Sequence, residues 1–186
     1  MTPTSASSIG KKKPEKEISY PITRPSLKIL QKITGCDPAY PGYDEPLRLE
    51  KALNSKCASF VDIIHTTDVK YGMVTPTGDI DFYPNRGYYK KHGVQPGCPM
   101  GIFIPISEND FCSHQRSVEY LAQAIVTPDK LKASKANSYK EWQAHHGAQD
   151  ECTYLGKDTN REYCGKFYLS TNSRRPYGKG KKGLKP

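Results

Sequence analysis

Apolar residues in this chain gather between about Leu47 and Val126, while residues 1–24 and 173–186 carry Lys, Arg, Pro, Ser and Gly without periodicity. Pro3, Pro14, Pro21 and Pro25 break any element that begins in the first segment, so disorder is expected there. LKILQKITGCDPAYPGY predicts a short strand closed by a turn. Gly35 permits the bend, Pro38 and Pro41 stop the strand, and Asp37 falls just past its C-terminal end. A β-rich run follows in ASFVDIIHTTD, with Val61, Ile63 and Ile64 suited to a buried strand, and GDIDFYPNRG predicts another, closed by a Pro-Asn-Arg-Gly turn. Val118, Leu121, Ala122 and Ile125 fall at i, i+3, i+4 and i+7, one face of a helix that Pro128 ends. SYKEWQ predicts one or two helical turns and GKFYLSTN a last strand, with an irregular, centrally apolar loop between Cys98 and Cys112. No internal repeat is present.

A length of 186 residues suffices for one sizeable core. The hydrophobic content of 35% and mean hydropathy of −0.73 are low for a compact domain and fit polar ends around a central one. The expected organisation is a segment over 1–25 outside the fold, a domain over 26–172 and a flexible basic tail over 173–186. The net charge of +9 comes largely from Lys11, Lys12, Lys13 and Lys16 in front and Arg174, Arg175, Lys179, Lys181, Lys182 and Lys185 behind. Such runs are ordinarily solvated, or else meet an anionic surface; aromatic residues are not interleaved with them, which argues against specific nucleic-acid binding.

No stretch approaches the ~20 apolar residues of a membrane span, and MTPTSASSIGKKKPEKEISYP has no apolar core of a signal peptide. Six cysteines, at 36, 57, 98, 112, 152 and 164, include no C-x-x-C. That spacing disfavours a zinc ribbon or thioredoxin-like motif and favours a disulfide-bonded secreted protein. A chain that has lost its original N-terminus reconciles the two signals.

DFCSHQRSVEYLAQAI places His114 in a loop at the mouth of the predicted helix. Asp37 at a strand end, where α/β folds put working residues, followed by a histidine, is the acid and base order of α/β hydrolases. Two other roles compete: an Asx-type bond by which Asp37 holds its own turn, and a merely local place for His114 near a helix N-terminus. A nucleophile elbow needs G-x-S-x-G. The only glycines four apart are Gly93 with Gly97 and Gly97 with Gly101, centred on Gln95 and Pro99, so residues 1–186 contain no elbow. His65 is expected to be satisfied in the core and Trp142 to anchor local packing. His145 and His146 with Cys152 and Cys164 fit no metal spacing, and no cofactor or metal is expected.

KITGCDPAYPGY, FVDIIHTTD, GDIDFYPNRG, QPGC and CSHQRSVEYLAQAI, in this order, closely resemble successive motifs of the pancreatic lipase and phospholipase A1 family of animal secreted lipases. GKFYLSTNSRRPYG is similar to the end of that family's catalytic domain, particularly in arthropod members. The resemblance covers roughly residues 32–178. It implies an α/β class: a partial α/β-hydrolase fold, the C-terminal part of the sheet with flanking helices, with the early strands and the elbow missing. It makes Asp37 the triad acid and His114 the base, and it implies a Cys98–Cys112 disulfide at the base of the lid, worth about 3 kcal/mol on the chain-entropy model. For the other cysteines, proximity favours Cys36 with Cys57 and Cys152 with Cys164.

Only 13 residues separate Cys98 from Cys112, and in this family short covering loops go with phospholipase A1 or broad esterase activity. Ile102, Phe103, Ile104 and Ile106 would then meet a lipid surface or the acyl site, or else pack on the core. Asn54 and Cys57 stand where the family's calcium loop has acids, which makes calcium doubtful. The expected function is carboxylic ester hydrolysis, as a triacylglycerol lipase or phospholipase A1 acting at a lipid–water interface, extracellular in the intact relative and inactive in this chain alone. The alternative is a non-catalytic secreted lipase-like protein that binds lipid or polyanions.

Overall fold

A computed structural model describes residues 30–40, 52–68, 71–100, 108–145 and 151–186. The expected disordered segment over 1–25 and the lid positions Ile102, Phe103, Ile104 and Ile106 lie outside the described residues. Six strands, β1 (Ile33–Cys36), β2 (Val61–Ile64), β3 (Ile80–Pro84), β4 (Lys132–Lys135), β5 (Cys152–Tyr154) and β6 (Gly165–Leu169), form one sheet in the order β1-β2-β3-β6-β4-β5. The first four in that order run parallel, and β4 and β5 add an antiparallel end. This is a partial α/β-hydrolase fold, with helices α1 (Arg86–His92), α2 (Glu108–Val126) and α3 (Tyr139–Ala144) beside the sheet.

The two apolar runs of β2 and β3 form strands whose residues are buried on both faces, as in a parallel sheet covered on two sides. Ile80 and Phe82 of β3 and Phe167 and Leu169 of β6 pack with Tyr120 and Ala124 of α2. Tyr83 and Tyr168, one position along, turn to the opposite face and meet Trp142 of α3, whose indole N–H donates to Ser134 Oγ at 2.8 Å. The period of two along a strand makes that division, and the register Phe82↔Phe167 and Tyr83↔Tyr168 stacks like on like. No helix among the described residues is long and apolar enough to cross a membrane.

Four features differ from the sequence expectation. KASK and CTY carry no strand signature, yet β4 and β5 form because β4 pairs with β6 through Ser134↔Tyr168 and buries Ala133 and Ser134 there. Helix α2 begins at Glu108, so His114 stands on its second turn rather than in a loop at its mouth. Most of the predicted stripe points outward, with Val118 57% and Ile125 60% exposed and Leu121 alone packing against the core; the buried face is Ser113, Arg116, Ser117, Tyr120 and Ala124. That face is polar because it covers the ends of β3 and β6, where buried side-chain amides and hydroxyls supply its partners.

Residues 173–186 are not a free tail. Tyr177 is buried edge-on against Tyr120 with ring centroids 5.2 Å apart, Gly180 N–H donates to the Lys130 carbonyl at 2.7 Å, and Ser170 N–H donates to that of Gly183 at 2.7 Å. Composition conceals these contacts because one aromatic ring and backbone hydrogen bonds make them.

The fourth difference is in the cysteines. Cys98 and Cys112 are bonded, whereas Cys36, Cys57, Cys152 and Cys164 form no disulfide. Cys36 ends β1 opposite Ile64, and Cys57 precedes the start of the parallel β2, so the two lie at opposite ends of one strand pair. β4 lies between the strands that carry Cys152 and follow Cys164. Burial, with the Asp62 and Asp37 charges behind it, pushes the Cys36 thiol up to about 11, so it stays protonated at neutral pH.

Candidate active site

Asp37 follows β1 with φ +48°, a left-handed conformation that an aspartate tolerates and that turns its side chain under the next loop. Its own N–H donates to the Ile64 carbonyl at 2.8 Å, tying the turn to the end of β2. The carboxylate has no solvent exposure, and it is fully supplied with donors. Oδ1 accepts from Thr66 N–H at 2.7 Å and Thr67 N–H at 3.0 Å; Oδ2 accepts from Thr67 Oγ1 at 2.5 Å. A buried carboxylate persists as an anion only where such donors replace its water.

The loop that supplies them is closed by Gly72. Gly72 N–H donates to Thr67 Oγ1 at 2.8 Å, Met73 N–H to the Pro38 carbonyl at 2.8 Å, and Tyr40 N–H to the Tyr71 carbonyl at 2.7 Å. A Cβ at position 72 would stand 2.5 Å from both Asp37 Oδ1 and Thr67 Oγ1, so only glycine fits beside the carboxylate. Below the loop, His65 is locked in the core: Nδ1 lies 2.7 Å from the Met73 carbonyl, Nε2 lies 2.7 Å from Asp81 Oδ1, and the ring stacks on Tyr83 with centroids 4.5 Å apart. The Tyr83 phenol, whose pKa burial raises, donates to the Val74 carbonyl at 3.0 Å.

His114 reaches this carboxylate from α2, with Nδ1 2.8 Å from Asp37 Oδ2. A carboxylate only accepts, so Nδ1 carries the proton and, in the neutral ring, Nε2 has the free lone pair. The side chain is about one-third exposed and lies beside the paired rings of Tyr71 and Phe111, whose centroids are 4.8 Å apart and stand 6.4 and 6.3 Å from the imidazole. The hydrogen bond to Asp37 raises the His114 pKa above the ordinary 6.5, partial burial opposes the shift, and the Asp37 charge adds to it. An imidazole so placed can take a proton at Nε2 and hold the resulting charge against a buried anion.

The structure thus brings Asp37 and His114 together across 77 residues of sequence and sets the Cys98–Cys112 disulfide two positions before the histidine. Arg116 seals the other side: its guanidinium lies over the Tyr177 ring at 4.7 Å, binds Glu119 Oε2 at 2.7 Å and comes within 3.5 Å of Cys98 Sγ. The Cys98→Ala/Cys112→Ala double variant is expected to lose about 3 kcal/mol of stability, read as a shift in the urea midpoint. Among the described residues, no cluster of three or more His, Cys, Asp or Glu side chains is placed to hold a metal ion. Sequence reasoning missed Thr66, Thr67 and Gly72, which act through backbone N–H groups, the Thr67 hydroxyl and a missing side chain. The one readable hint is a glycine between Tyr71 and Met73 in an otherwise bulky stretch.

Comparison with known proteins gives this geometry its context. The family model described as Lipase matches residues 22–177. Lipoprotein lipase of Gallus gallus is 31% identical over 174 residues, covering 81% of this chain and 34% of that protein. Lipoprotein lipase of Homo sapiens is 30% identical over 171 residues, with 81% and 35% covered. Human pancreatic lipase-related protein 3 is 29% identical over 178 residues, with 81% and 37% covered. The chain spans about a third of the length of the curated relatives it matches. With a family match across most of its length and an aspartate–histidine pair at the carboxyl ends of a mostly parallel sheet, the chain belongs to the lipase family of pancreatic and lipoprotein lipases.

Proposed function

We propose that residues 30–186 are the acid–base half of a carboxylic ester hydrolase acting on lipid esters, with Asp37 and His114 as two members of a Ser-His-Asp triad. The observation that carries this reading is the 2.8 Å bond from His114 Nδ1 to the fully buried Asp37 carboxylate, with the ring's far side still partly exposed. In the reaction, Nε2 of His114 removes the proton from a serine hydroxyl as its oxygen adds to the ester carbonyl. The imidazolium then returns that proton to the departing alcohol. Asp37 keeps the ring in the Nδ1–H tautomer and balances its charge. The serine lies outside residues 1–186, which contain no G-x-S-x-G, so this chain alone is inactive.

The short span between Cys98 and Cys112 favours phospholipase A1 or broad esterase action over strict triacylglycerol hydrolysis. A disulfide beside the histidine favours an extracellular setting for the intact protein. The test is to join residues 1–186 behind a lipase-family segment that carries the serine and to assay a nitrophenyl ester, phosphatidylcholine vesicles and triolein emulsion. Hydrolysis is expected from the joined protein and is expected to vanish in His114→Ala. Hydrolysis by residues 1–186 alone, unchanged in His114→Ala, would overturn the proposal, and a folded but inert joined protein would favour the lipid- or polyanion-binding alternative.

A further inference from the structure

We propose that Gln95 is a positioning residue that holds both members of the Asp37–His114 pair through hydrogen bonds to the two elements that carry them. The inference rests on the triad reading above. Gln95 lies in the turn between α1 and the disulfide, its carbonyl accepting from Cys98 N–H at 3.0 Å, and it is 1% exposed. A glutamine so deeply buried must have its donors and acceptors paired, and here every partner is identifiable.

Its Nε2 lies 2.9 Å from the Thr66 carbonyl and 3.2 Å from the Pro84 carbonyl. Both partners only accept, which fixes this end of the amide as the donor. Its Oε1 accepts from Asn85 Nδ2 at 2.9 Å and from Tyr120 OH at 3.2 Å. Asn85 is itself pinned, with φ +54° and Oδ1 accepting from Thr171 N–H at 2.8 Å, so the glutamine amide cannot turn over without breaking these bonds. The phenol of Tyr120, whose pKa burial raises, remains a donor.

The Thr66 carbonyl and the Thr67 N–H belong to one planar peptide unit. Gln95 grips the oxygen of that unit, and its N–H points at Asp37 Oδ1 3.0 Å away. Fixing one end therefore aims the other. The backbone N–H of the same glutamine donates to Ser113 Oγ at 2.8 Å, one residue before His114 on α2. A single buried residue thus spans the acid's cradle and the base's helix. The titratable group facing His114 from the β1 end is Asp37, and Tyr71 flanks it; Arg116 on its own helix is turned to Glu119 and Tyr177.

The test uses the 186-residue protein and NMR titration of the His114 imidazole. Gln95→Met conserves length and removes both amide ends; it is expected to lower the His114 midpoint toward that of Asp37→Asn. Tyr120→Phe removes one hydroxyl from the same network without touching Thr66 or Ser113, and it is expected to leave the midpoint in place. A wild-type midpoint in Gln95→Met alongside a lowered one in Asp37→Asn would overturn this inference while leaving the pair intact. An unchanged midpoint in Asp37→Asn would overturn the pair and this inference together. Should Gln95→Met not fold, Ser113→Ala decides: a lowered midpoint supports the bridge and an unchanged one overturns it.

Discussion

Asp37→Asn, placed in a polypeptide that carries the serine, is expected to lower kcat about 10⁴-fold while leaving the fold in place. The reason lies in the donor count. Asp37 accepts four hydrogen bonds, two at each oxygen, and an amide has one acceptor oxygen and one NH₂. With the amide oxygen retained by the N–H groups of Thr66 and Thr67, the NH₂ faces His114, and the imidazole must accept at Nδ1. Its proton then sits at Nε2, the position from which it would have to act as a base.

In the 186-residue protein the same substitution is read as a titration. The Asp37 hydrogen bond, the largest cause of the raised His114 pKa, is lost and the opposing effect of burial remains, so the midpoint falls below 6.5. The sign for stability follows. Because the folded pKa is raised, the pair's contribution is fully present below the unfolded value near 6.5 and is lost as pH rises through the folded one. Wild-type protein should lose stability across that window and Asp37→Asn should not. Equal urea midpoints for the two proteins on both sides of it would count against the coupling.

Asp81→Ala is expected to cost about 3–5 kcal/mol, the range for removing one partner of a buried, hydrogen-bonded pair. Asp81 and His65 are 1% and 3% exposed, and the carboxylate accepts from Thr77 N–H at 3.1 Å as well as meeting His65 Nε2. The Met73 carbonyl only accepts, so Nδ1 of His65 donates to it, and Nε2 faces the Asp81 carboxylate at 2.7 Å. Truncation leaves Nε2 of His65, buried in the core, and the Thr77 N–H without their shared partner, and no solvent reaches the ring to replace it. The loss should also loosen the Met73 end of the loop around Asp37. Urea unfolding at neutral pH measures it, and a loss of less than about 1 kcal/mol would reduce the pair to the worth of an exposed ion pair.

Much of the framework was legible because it rests on local signals. Val61, Ile63 and Ile64 alternate into neither a helical nor a half-buried pattern, and Ile80, Phe82 and Tyr83 resemble them; both runs became central parallel strands. Gly35, Pro38 and Asp37 marked a strand end, and Asp37 stands there. The buried face of α2 is not legible in the sequence because it uses Ser113, Arg116 and Ser117, which hydropathy scores as solvent-facing. β4 has no local signal, since lysine, alanine and serine become a strand only when β6 offers them a ladder.

The sequence by itself determined the residue types, the strand ends that present them, and the absence of an elbow serine between Met1 and Pro186. Sequence order and the family resemblance pair Asp37 with His114; tertiary structure decided that the histidine does so from the second turn of α2, reaching across 77 positions to 2.8 Å. It alone decided that Cys36, Cys57, Cys152 and Cys164 form no disulfide, and that Gln95, Thr66 and Gly72 hold the pair. The physical reason is range: periodicity and turn chemistry act within a few residues, whereas pairing a buried charge with its donors depends on which distant backbone groups the packed sheet leaves pointing inward.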